Sequence, residues 1–414
     1  MERTHTTPAV IIPADRPATL GIARSLGRRG IPVYGIDQDP GEIGMASKYL
    51  TACPLPNADP SDENRLQFLI DLGKKLGEPA VLFPVSDNDV ILCSRERGEL
   101  QNYYTYVMPD HQTVTDLLTK DGLHRVAQAC GIPHPQMIAI SCDSDVERIA
   151  DGLRYPLIIK PVFSPSWLDP EIIEMLREGP LGGFPKVAVC QSAEELFETH
   201  RKIARYDPCM IFQEIIPGED ERLVYFCFYL DRQSRPLAIF AGRKERVLPV
   251  GFGSATYVRS FRDPELEKIS YQLLSGIRYQ GLGGVEFKKD PRDEQYKLIE
   301  FNARYGLWDS LSIRCGIDAP YIAYRDALGL PVDAQSDYRE GVLWIDSQRD
   351  LRASMIYNRR GQLKFGDWLR SLRGEKDWAI YAPDDWKPAL VAFGLLLKAV
   401  WTAIKSKIVS SIKS

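Results

Sequence analysis

VEFKKDPRDEQYKLIEFNARYG, residues 285–306, reads as two strands joined by a charged turn. Glu286 lies on the first strand, and Glu300, Asn302 and Arg304 follow one another at a spacing of two on the second. Because residues i and i+2 of a strand point to the same side, this hairpin can present its oxygen ligands on one face. Mg²⁺ takes such carboxylate and amide oxygens together with phosphate oxygens. A solvent-exposed hairpin held by cross-strand charge pairs is the alternative.

Length and composition place the chain among ordinary globular proteins. It has 414 residues, 44% apolar and 26% charged, enough for two to four domains. A formal net charge of −4 gives no bulk attraction to nucleic acid, so we expect no nucleic-acid partner. Eight scattered cysteines without a C-x-x-C pair argue against a zinc site or a disulfide framework. They favour a reducing cytoplasm, and the first twenty residues lack the pattern of a secretory signal.

The N-terminal third alternates strands and helices. AVIIP (9–13), a helix over 18–30 and IPVYGID (31–37) predict a parallel α/β sheet. The turn between them lacks G-x-G-x-x-G, which disfavours a dinucleotide site. Acids follow three of the predicted strands, where ligands of such sheets bind, although they could equally cap the next helices: Asp15, Asp37 and Asp87.

Basic residues recur at predicted strand and helix ends. DLLTKDGLHRVAQACG (116–131) predicts one helix containing Lys120, and YPLIIKP predicts a strand whose last side chain is Lys160. Residues 163–186 predict a mobile flap whose glycines, at 179, 182 and 183, could let backbone amides approach phosphate groups. Arg243 and Lys244 lie on a basic strand and could reach a γ-phosphate or a substrate carboxylate, or could simply end the strand.

Taken in order, four motifs resemble the ATP-grasp superfamily. They are Lys120 before GIPHPQ, YPLIIKP, IFQEIIPGED, and GGVEFKKD followed by YKLIEFNARYG. The likeness covers about residues 8–330 and is greatest to the carboxylate–amine ligase branch, which includes D-aspartate ligases. It implies an α/β ATP-grasp fold with an N-terminal parallel-sheet, Rossmann-like domain. The implied units are 1–115 (N-terminal domain), 116–215 (lid), 216–335 (catalytic subdomain with the metal face), 336–387 (a small unit) and 388–414 (an amphipathic tail).

The resemblance also implies roles for individual residues. Lys120 and Lys160 would hold the α- and β-phosphates of ATP. Gln213, Glu214, Ile215 and Ile216 would form the hinge on adenine, with Glu214 facing its amino group. Either Asp220 or Glu221 would take the ribose hydroxyls. Glu286, Glu300 and Asn302 would bind Mg²⁺, with Mn²⁺ as an alternative metal, and Arg304 would contact an acyl phosphate.

These roles imply ATP- and magnesium-dependent joining of a small-molecule carboxylate to an amine through an acyl phosphate. Runners-up with the same fold are a ligase with another acyl acceptor and a kinase. A nucleotide-binding protein without turnover is less favoured, because a sensor needs neither a metal face nor Arg304. The sequence is compatible with a homo-oligomer.

The last residues differ from the rest. In PALVAFGLLLKAVWTAIKSKIVSSIKS (388–414) the apolar run stops at Lys398, too short for the roughly 20 residues that span a bilayer. No acid follows Asp385. On a helix, one stripe is apolar: Leu390, Phe393, Leu397, Trp401, Ile404 and Ile408. This pattern fits an interfacial helix at the inner face of a membrane, or a stripe packed on the catalytic core or on a second subunit.

Overall fold

The computed structural model describes residues 6–15, 17–56, 61–140, 146, 149–153, 155–162, 167, 172–174 and 187–413. In the last helix, side chains are described for residues 387–398, 401 and 402. Most of the predicted flap over 163–186, including its three glycines, lies outside the described residues.

A five-stranded parallel sheet forms the N-terminal part, as the strand–helix alternation predicts. Its strands, in the order β3-β2-β1-β4-β5, are β1 (Ala9–Ile12), β2 (Val33–Asp37), β3 (Thr51–Pro54), β4 (Ala80–Pro84) and β5 (Tyr104–Thr105). Its helices are α1 (Pro17–Gly27), α2 (Asp62–Leu76), α3 (Asp87–Arg95) and α4 (Arg97–Leu100). Ser86 caps α3 by accepting from the backbone N–H of Asp89, so Asp87 is not the cap.

The predicted single helix over 116–131 is wrong, because Thr119 is extended and divides it into α5 (His111–Leu118) and α6 (Lys120–Ala129). A four-stranded antiparallel sheet follows, in the order β6-β9-β7-β8. Its elements are β6 (Met137–Ile140), β7 (Leu157–Pro161), β8 (Ala188–Cys190), α7 (Ala193–Ile203) and β9 (Met210–Glu214). This sheet, here termed the lid sheet, has its own core around Leu157, Ile159 and Phe212.

A seven-stranded, mainly antiparallel sheet forms the centre, in the order β14-β13-β10-β11-β12-β15-β16. Its strands are β10 (Leu223–Leu230), β11 (Pro236–Leu248), β12 (Ser254–Ser260), β13 (Gly281–Lys289), β14 (Tyr296–Asn302), β15 (Leu343–Ile345) and β16 (Lys376–Trp378). Its helices are α8 (Pro264–Gly276), α9 (Ser310–Cys315), α10 (Ala319–Ala327), α11 (Ser347–Arg359), α12 (Phe365–Ser371) and α13 (Lys387–Lys413). Short 3-10 turns span Gly44–Ala46, Ala150–Gly152 and Asp220–Arg222.

The central sheet is joined to its neighbours by shared cores. Val10 of the parallel sheet lies in one apolar cluster with Phe226 and Phe287, and Ile11 lies in another with Tyr225 and Trp308. Strands β15 and β16 add to the edge of the same sheet. Residues 336–387 therefore extend the central sheet rather than forming a separate small unit.

A buried ion pair ties the chain before α13 to the N-terminal part. Asp385 is buried and accepts from Arg24 Nε at 2.9 Å, Ser47 Oγ at 2.7 Å and Lys48 N at 2.9 Å. The neighbouring Asp384 forms an exposed pair with Arg28 at 2.8 Å. Removal of one partner of a buried pair leaves an uncompensated charge, whereas an exposed pair contributes little.

We therefore expect Asp385→Ala to lower the free energy of unfolding by about 3–5 kcal/mol, and Asp384→Ala to lower it by at most about 1 kcal/mol. Chemical denaturation followed by circular dichroism measures both. Equal losses in the two variants would contradict the structural role given to Asp385.

Candidate active site

A cleft of about 970 Å³ opens between the lid sheet, the central sheet and the C-terminal ends of the parallel strands. That volume lies in the upper range for small-molecule sites. Residues from all three parts line it, among them Asp87, Lys160 and Glu300. The cleft can therefore hold a nucleotide beside a second small molecule.

The floor of the cleft is one face of the central sheet. Glu286 on β13 pairs in register with Glu300 on β14 and, on its other side, with Tyr225 on β10. Asn302 pairs with Gly284, which shares the parity of Glu286. Strand pleating thus brings both predicted acidic ligands and the amide to the same surface, as their spacing predicts.

Each floor carboxylate is paired with a lysine from another element. Lys120 Nζ lies 3.0 Å from Glu300 Oε1, and Lys244 Nζ of β11 contacts Glu286 Oε2. The Lys244 ammonium also lies 5.6 Å from the ring centroid of Tyr225. Because like charges on directly opposed strand residues are unfavourable, these lysines offset a repulsion that the register creates.

Lys120 is the first residue of α6, and its backbone N–H donates to Val162 O at 2.9 Å. A cation at a helix N-terminus is disfavoured by the helix dipole, whereas an anion is favoured. The amides of Asp121 and Gly122 donate to the Asp121 carboxylate, so the group at this helix end that is suited to phosphate is the side chain of Lys120, which lines the cleft.

The lid sheet contributes a second lysine. Lys160 on β7 and Gln213 on β9 are on one face of that sheet, and Lys160 Nζ donates to Gln213 Oε1 at 3.1 Å. The side chains of Ile215 and Ile216 follow along the cleft wall. The structure thus brings the predicted phosphate lysine next to the predicted hinge.

Glu214 also lines the cleft, but its carboxylate is engaged in the wall. Its Oε1 lies 2.5 Å from Arg292 Nη1, and its Oε2 accepts from Gln136 N at 3.2 Å. No local sequence pattern indicates either partner, because both are 78 residues away along the chain.

The two candidates for ribose recognition differ in burial and in position relative to the cleft. Asp220 is buried at the cleft and accepts from Gly251 N at 3.1 Å and from Tyr357 Oη at 2.5 Å. Glu221 is exposed and is not among the lining residues. The geometry favours Asp220.

Arg304 links the floor to the parallel sheet. Its Nε lies 2.6 Å from Asp87 Oδ1, and its Nη2 donates to Asn302 Oδ1 at 3.1 Å. Burial opposes the charge on the guanidinium, but the charge of Asp87 and its hydrogen bond outweigh that effect and raise the pKa of Arg304 above its usual value. Arg304 is therefore a fixed cation, with Asp87 setting its orientation.

Arg243 does not reach the cleft, and its predicted role there is corrected. It alternates with Lys244 on β11, so the two side chains point to opposite faces of the sheet. Arg243 is exposed, with its guanidinium 4.7 Å from the ring centroid of Phe261.

Three cleft cations were not identified from the sequence: Arg65, Lys288 and Arg292. Lys288 lies two residues after Glu286 on β13, so strand parity could have revealed it. Its Nζ donates to Gly218 O at 2.8 Å, and burial lowers its pKa below the ordinary lysine value. Arg65 comes from α2 and pairs with buried Asp89, a contact that no local pattern indicates.

The donor set fits magnesium rather than a self-contained metal cage. Among the described residues, no group of three His, Cys, Asp or Glu side chains could hold a metal alone. Glu286, Glu300 and Asn302 offer two carboxylates and one amide oxygen, and Mg²⁺ is commonly bound by one or two carboxylates with phosphate oxygens completing its shell. These residues therefore fit a metal that arrives with a nucleotide.

A buried carboxyl group supports the loop after Arg304. Asp309 accepts from Gly306 N at 2.6 Å and from Cys227 Sγ at 3.1 Å. Burial raises its pKa from 3.8 to about 6, an effect that the Gly306 hydrogen bond only partly offsets. The folded state therefore binds this proton more tightly than the unfolded state, and stability is lost as pH rises from about 4 to about 6.

We expect Asp309→Asn to remove this loss, because the amide keeps an acceptor for Gly306. Relative to the parent, the variant should gain about 2 kcal/mol of unfolding free energy between pH 4.5 and pH 7. Denaturant titrations at the two pH values measure the difference, in which groups common to both proteins cancel. Parallel stability curves would show that Asp309 ionises normally.

We compared the sequence and the fold with those of known proteins. No family model matches the chain. A D-aspartate ligase from Enterococcus faecium (strain Aus0004) is 24% identical over 237 residues, 55% of this chain and 53% of that protein, so the match spans about half of the relative.

Solved structures extend the likeness. An L-amino acid ligase from Bacillus licheniformis has a TM-score of 0.57 at 16% identity, covering 80% of this chain and 75% of the other. The biotin carboxylase domain of a Hydrogenobacter thermophilus 2-oxoglutarate carboxylase, solved with MgADP, ADP and bicarbonate, has a TM-score of 0.62 at 15% identity, covering 82% and 74%. The chain therefore has the α/β ATP-grasp fold, and its sequence is similar to that of a D-aspartate ligase.

Proposed function

We propose that this chain is an ATP- and Mg²⁺-dependent ligase that joins a carboxylate to an amine through an acyl phosphate. The observation that carries the proposal is the cleft floor, where Glu286 and Glu300 face each other and each is held by a lysine from another element. A binding protein without turnover has no need for this charge arrangement beside a partly buried Arg304.

The comparisons support this class of reaction. Their names include a D-aspartate ligase and an L-amino acid ligase, both of which point to amino-acid or related carboxylates and amines. Complexes of other fold neighbours contain ADP with magnesium or ATP. We extend the nucleotide and the metal to this chain on the strength of its own lysines and oxygen ligands.

Nucleotide binding would exchange partners within the cleft. Lys120 and Lys160 would turn from Glu300 and Gln213 toward phosphate oxygens, which compete well for an ammonium group. Gln213 to Ile216 would form the hinge against adenine, and Asp220 would accept from the ribose hydroxyls. Magnesium, when bound by Glu286, Glu300 and Asn302, would neutralise charge on the transferred phosphoryl group.

The reaction has two steps. A substrate carboxylate oxygen attacks the γ-phosphorus and forms the acyl phosphate. The bond between the γ-phosphorus and the β–γ bridging oxygen breaks, and ADP leaves with the electron pair of that bond. The amine then adds to the acyl carbon, loses a proton and expels inorganic phosphate, leaving an amide. Lys244 and Arg304 line the cleft where negative charge develops on these oxygens, and catalysis consists mainly of positioning and electrostatic stabilisation.

A phosphate-release screen tests the proposal with amino acids and small carboxylates offered singly and in pairs. Release that requires both partners is expected. Lys160→Ala and Glu300→Gln should abolish turnover while the fold is retained, because one loses a phosphate contact and the other a metal ligand.

Lys297→Ala is the matched control, since Lys297 lies on β14 but pairs with Asp293 in the turn. It should leave turnover unchanged. Release with a carboxylate alone and a stable phosphorylated product would replace the ligase by a kinase. Undiminished ATP binding and turnover in Lys160→Ala would reject the site.

Arg304 provides a sharper test. Arg304→Lys keeps a charge but loses the planar fork that holds two oxygens at once. ATP affinity should survive, and the turnover rate should fall by roughly 10²–10³-fold, the cost of removing one preorganised donor to a developing oxyanion. Calorimetry and steady-state kinetics separate these quantities. Loss of ATP affinity would move Arg304 from the acyl centre to the phosphates.

A further inference from the structure

Large apolar side chains are exposed mainly in one stretch of the chain. Of the thirteen that the described residues expose, eleven lie between residues 351 and 401, and the other two are Tyr206 and Leu330. The eleven come from α11, α12, α13 and the segment before α13. We call this set the apolar face; its most exposed members include Met355, Phe365, Phe393 and Trp401, between 53% and 67% exposed.

Helix α13 presents its apolar stripe away from the body. Leu390, Phe393, Leu397 and Trp401 share one side of the helix and are 53–67% exposed. Ala392 is buried on the opposite side, where its carbonyl accepts from Gln348 Nε2 of α11 at 3.4 Å. The alternative that this stripe packs on the catalytic core is therefore wrong for these four residues.

The same elements carry a strong excess of positive charge. Residues 387–413 contain five lysines and no acid, and Lys387 and Lys398, both exposed, are about three turns apart on one flank of the stripe. Residues 347–373 contain seven Arg or Lys and two Asp, and residues 374–386 contain one Lys and four acids, so residues 347–413 together hold thirteen basic and six acidic residues. One of these acids, Asp350, is buried in a pair with Arg246. The whole chain has a net charge of −4, so this face is positive against an otherwise more acidic molecule.

Two other occupants fit less well. Within the described residues, no helix is long and apolar enough to cross a bilayer. A two-fold dimer through α13 would bring two helices together that each carry five lysines and no compensating acid. Exposed apolar side chains flanked by cations instead match an anionic bilayer surface, where rings and aliphatic chains enter the interface and lysines meet the headgroups.

We propose that the apolar face and its flanking cations dock the protein on a membrane that contains anionic lipids, with α13 lying in the plane of the interface. This inference does not depend on the proposed reaction. It identifies the partner as a lipid surface with negative headgroups.

Sedimentation of the full chain with vesicles tests the proposal. The chain should bind vesicles of phosphatidylcholine with roughly a third phosphatidylglycerol at least tenfold more tightly than phosphatidylcholine alone, because each surface cation adds about 1 kcal/mol on anionic lipid. Added salt should weaken this binding.

Two variants address the two contributions separately. Phe393→Ser with Trp401→Ser should reduce vesicle binding at least tenfold, and Lys387→Gln with Lys398→Gln should reduce the preference for anionic lipid by about tenfold. Matched controls are Tyr206→Ser and Lys74→Gln with Lys75→Gln, which change exposed residues elsewhere. The controls should bind as the parent does, and ATP affinity should be the same in all five proteins.

Light scattering measures the oligomeric state and so tests whether a second copy of the chain covers the apolar face instead. A dimer that dissociates in Phe393→Ser with Trp401→Ser would assign the face to a second copy of the chain and overturn the proposal. Equal binding to neutral and anionic vesicles, or no binding to either, would overturn it as well.

Discussion

The register between β13 and β14 is the constraint on which the cleft depends. It sets Glu286 opposite Glu300 and Gly284 opposite Asn302, and a slip of one residue would turn these polar side chains toward Phe287 and the core. Gly284 helps to fix the arrangement, since a Cβ there would lie 2.2 Å from the ring of Tyr225. Backbone pairing thus determines the arrangement of the cleft floor without any ligand.

That register imposes a charge problem whose solution connects the parts of the molecule. Two opposed carboxylates repel, and Lys120 from α6 and Lys244 from β11 supply the compensating charges. Arg304 meets Asp87 at the end of the parallel sheet. Removing one member of such a pair leaves the other charge uncompensated, so helix α6, the central sheet and the N-terminal sheet are coupled through the cleft.

Local spacing was enough to predict the hairpin, the parallel sheet and the face that carries Glu300 and Asn302. It failed where long-range contacts decide. Arg304 and Asp87 are 217 residues apart, and no periodicity could pair them. Arg243 was misplaced because it and Lys244 are consecutive on β11, so that only one of them can face the cleft, and the sequence does not show which. The apolar pattern continues through Thr119, so the sequence does not show that the helix is interrupted there. Strands β15 and β16 have three residues each, too few for a sequence pattern to predict that they extend the central sheet.

The pairing of lysines with carboxylates also constrains how a nucleotide could enter. If phosphate oxygens draw Lys120 away from Glu300, the carboxylate loses the positive charge of Lys120 in a partly enclosed site, which is unfavourable. A metal carried by the same phosphates restores that charge as the lysine departs. Nucleotide without metal would leave Glu300 without the charge of Lys120, and metal without nucleotide would have to displace Lys120 with no anion to receive it. Under the proposed function, the two ligands are therefore thermodynamically coupled, and the coupling arises from the same cross-strand repulsion that the β13–β14 register creates.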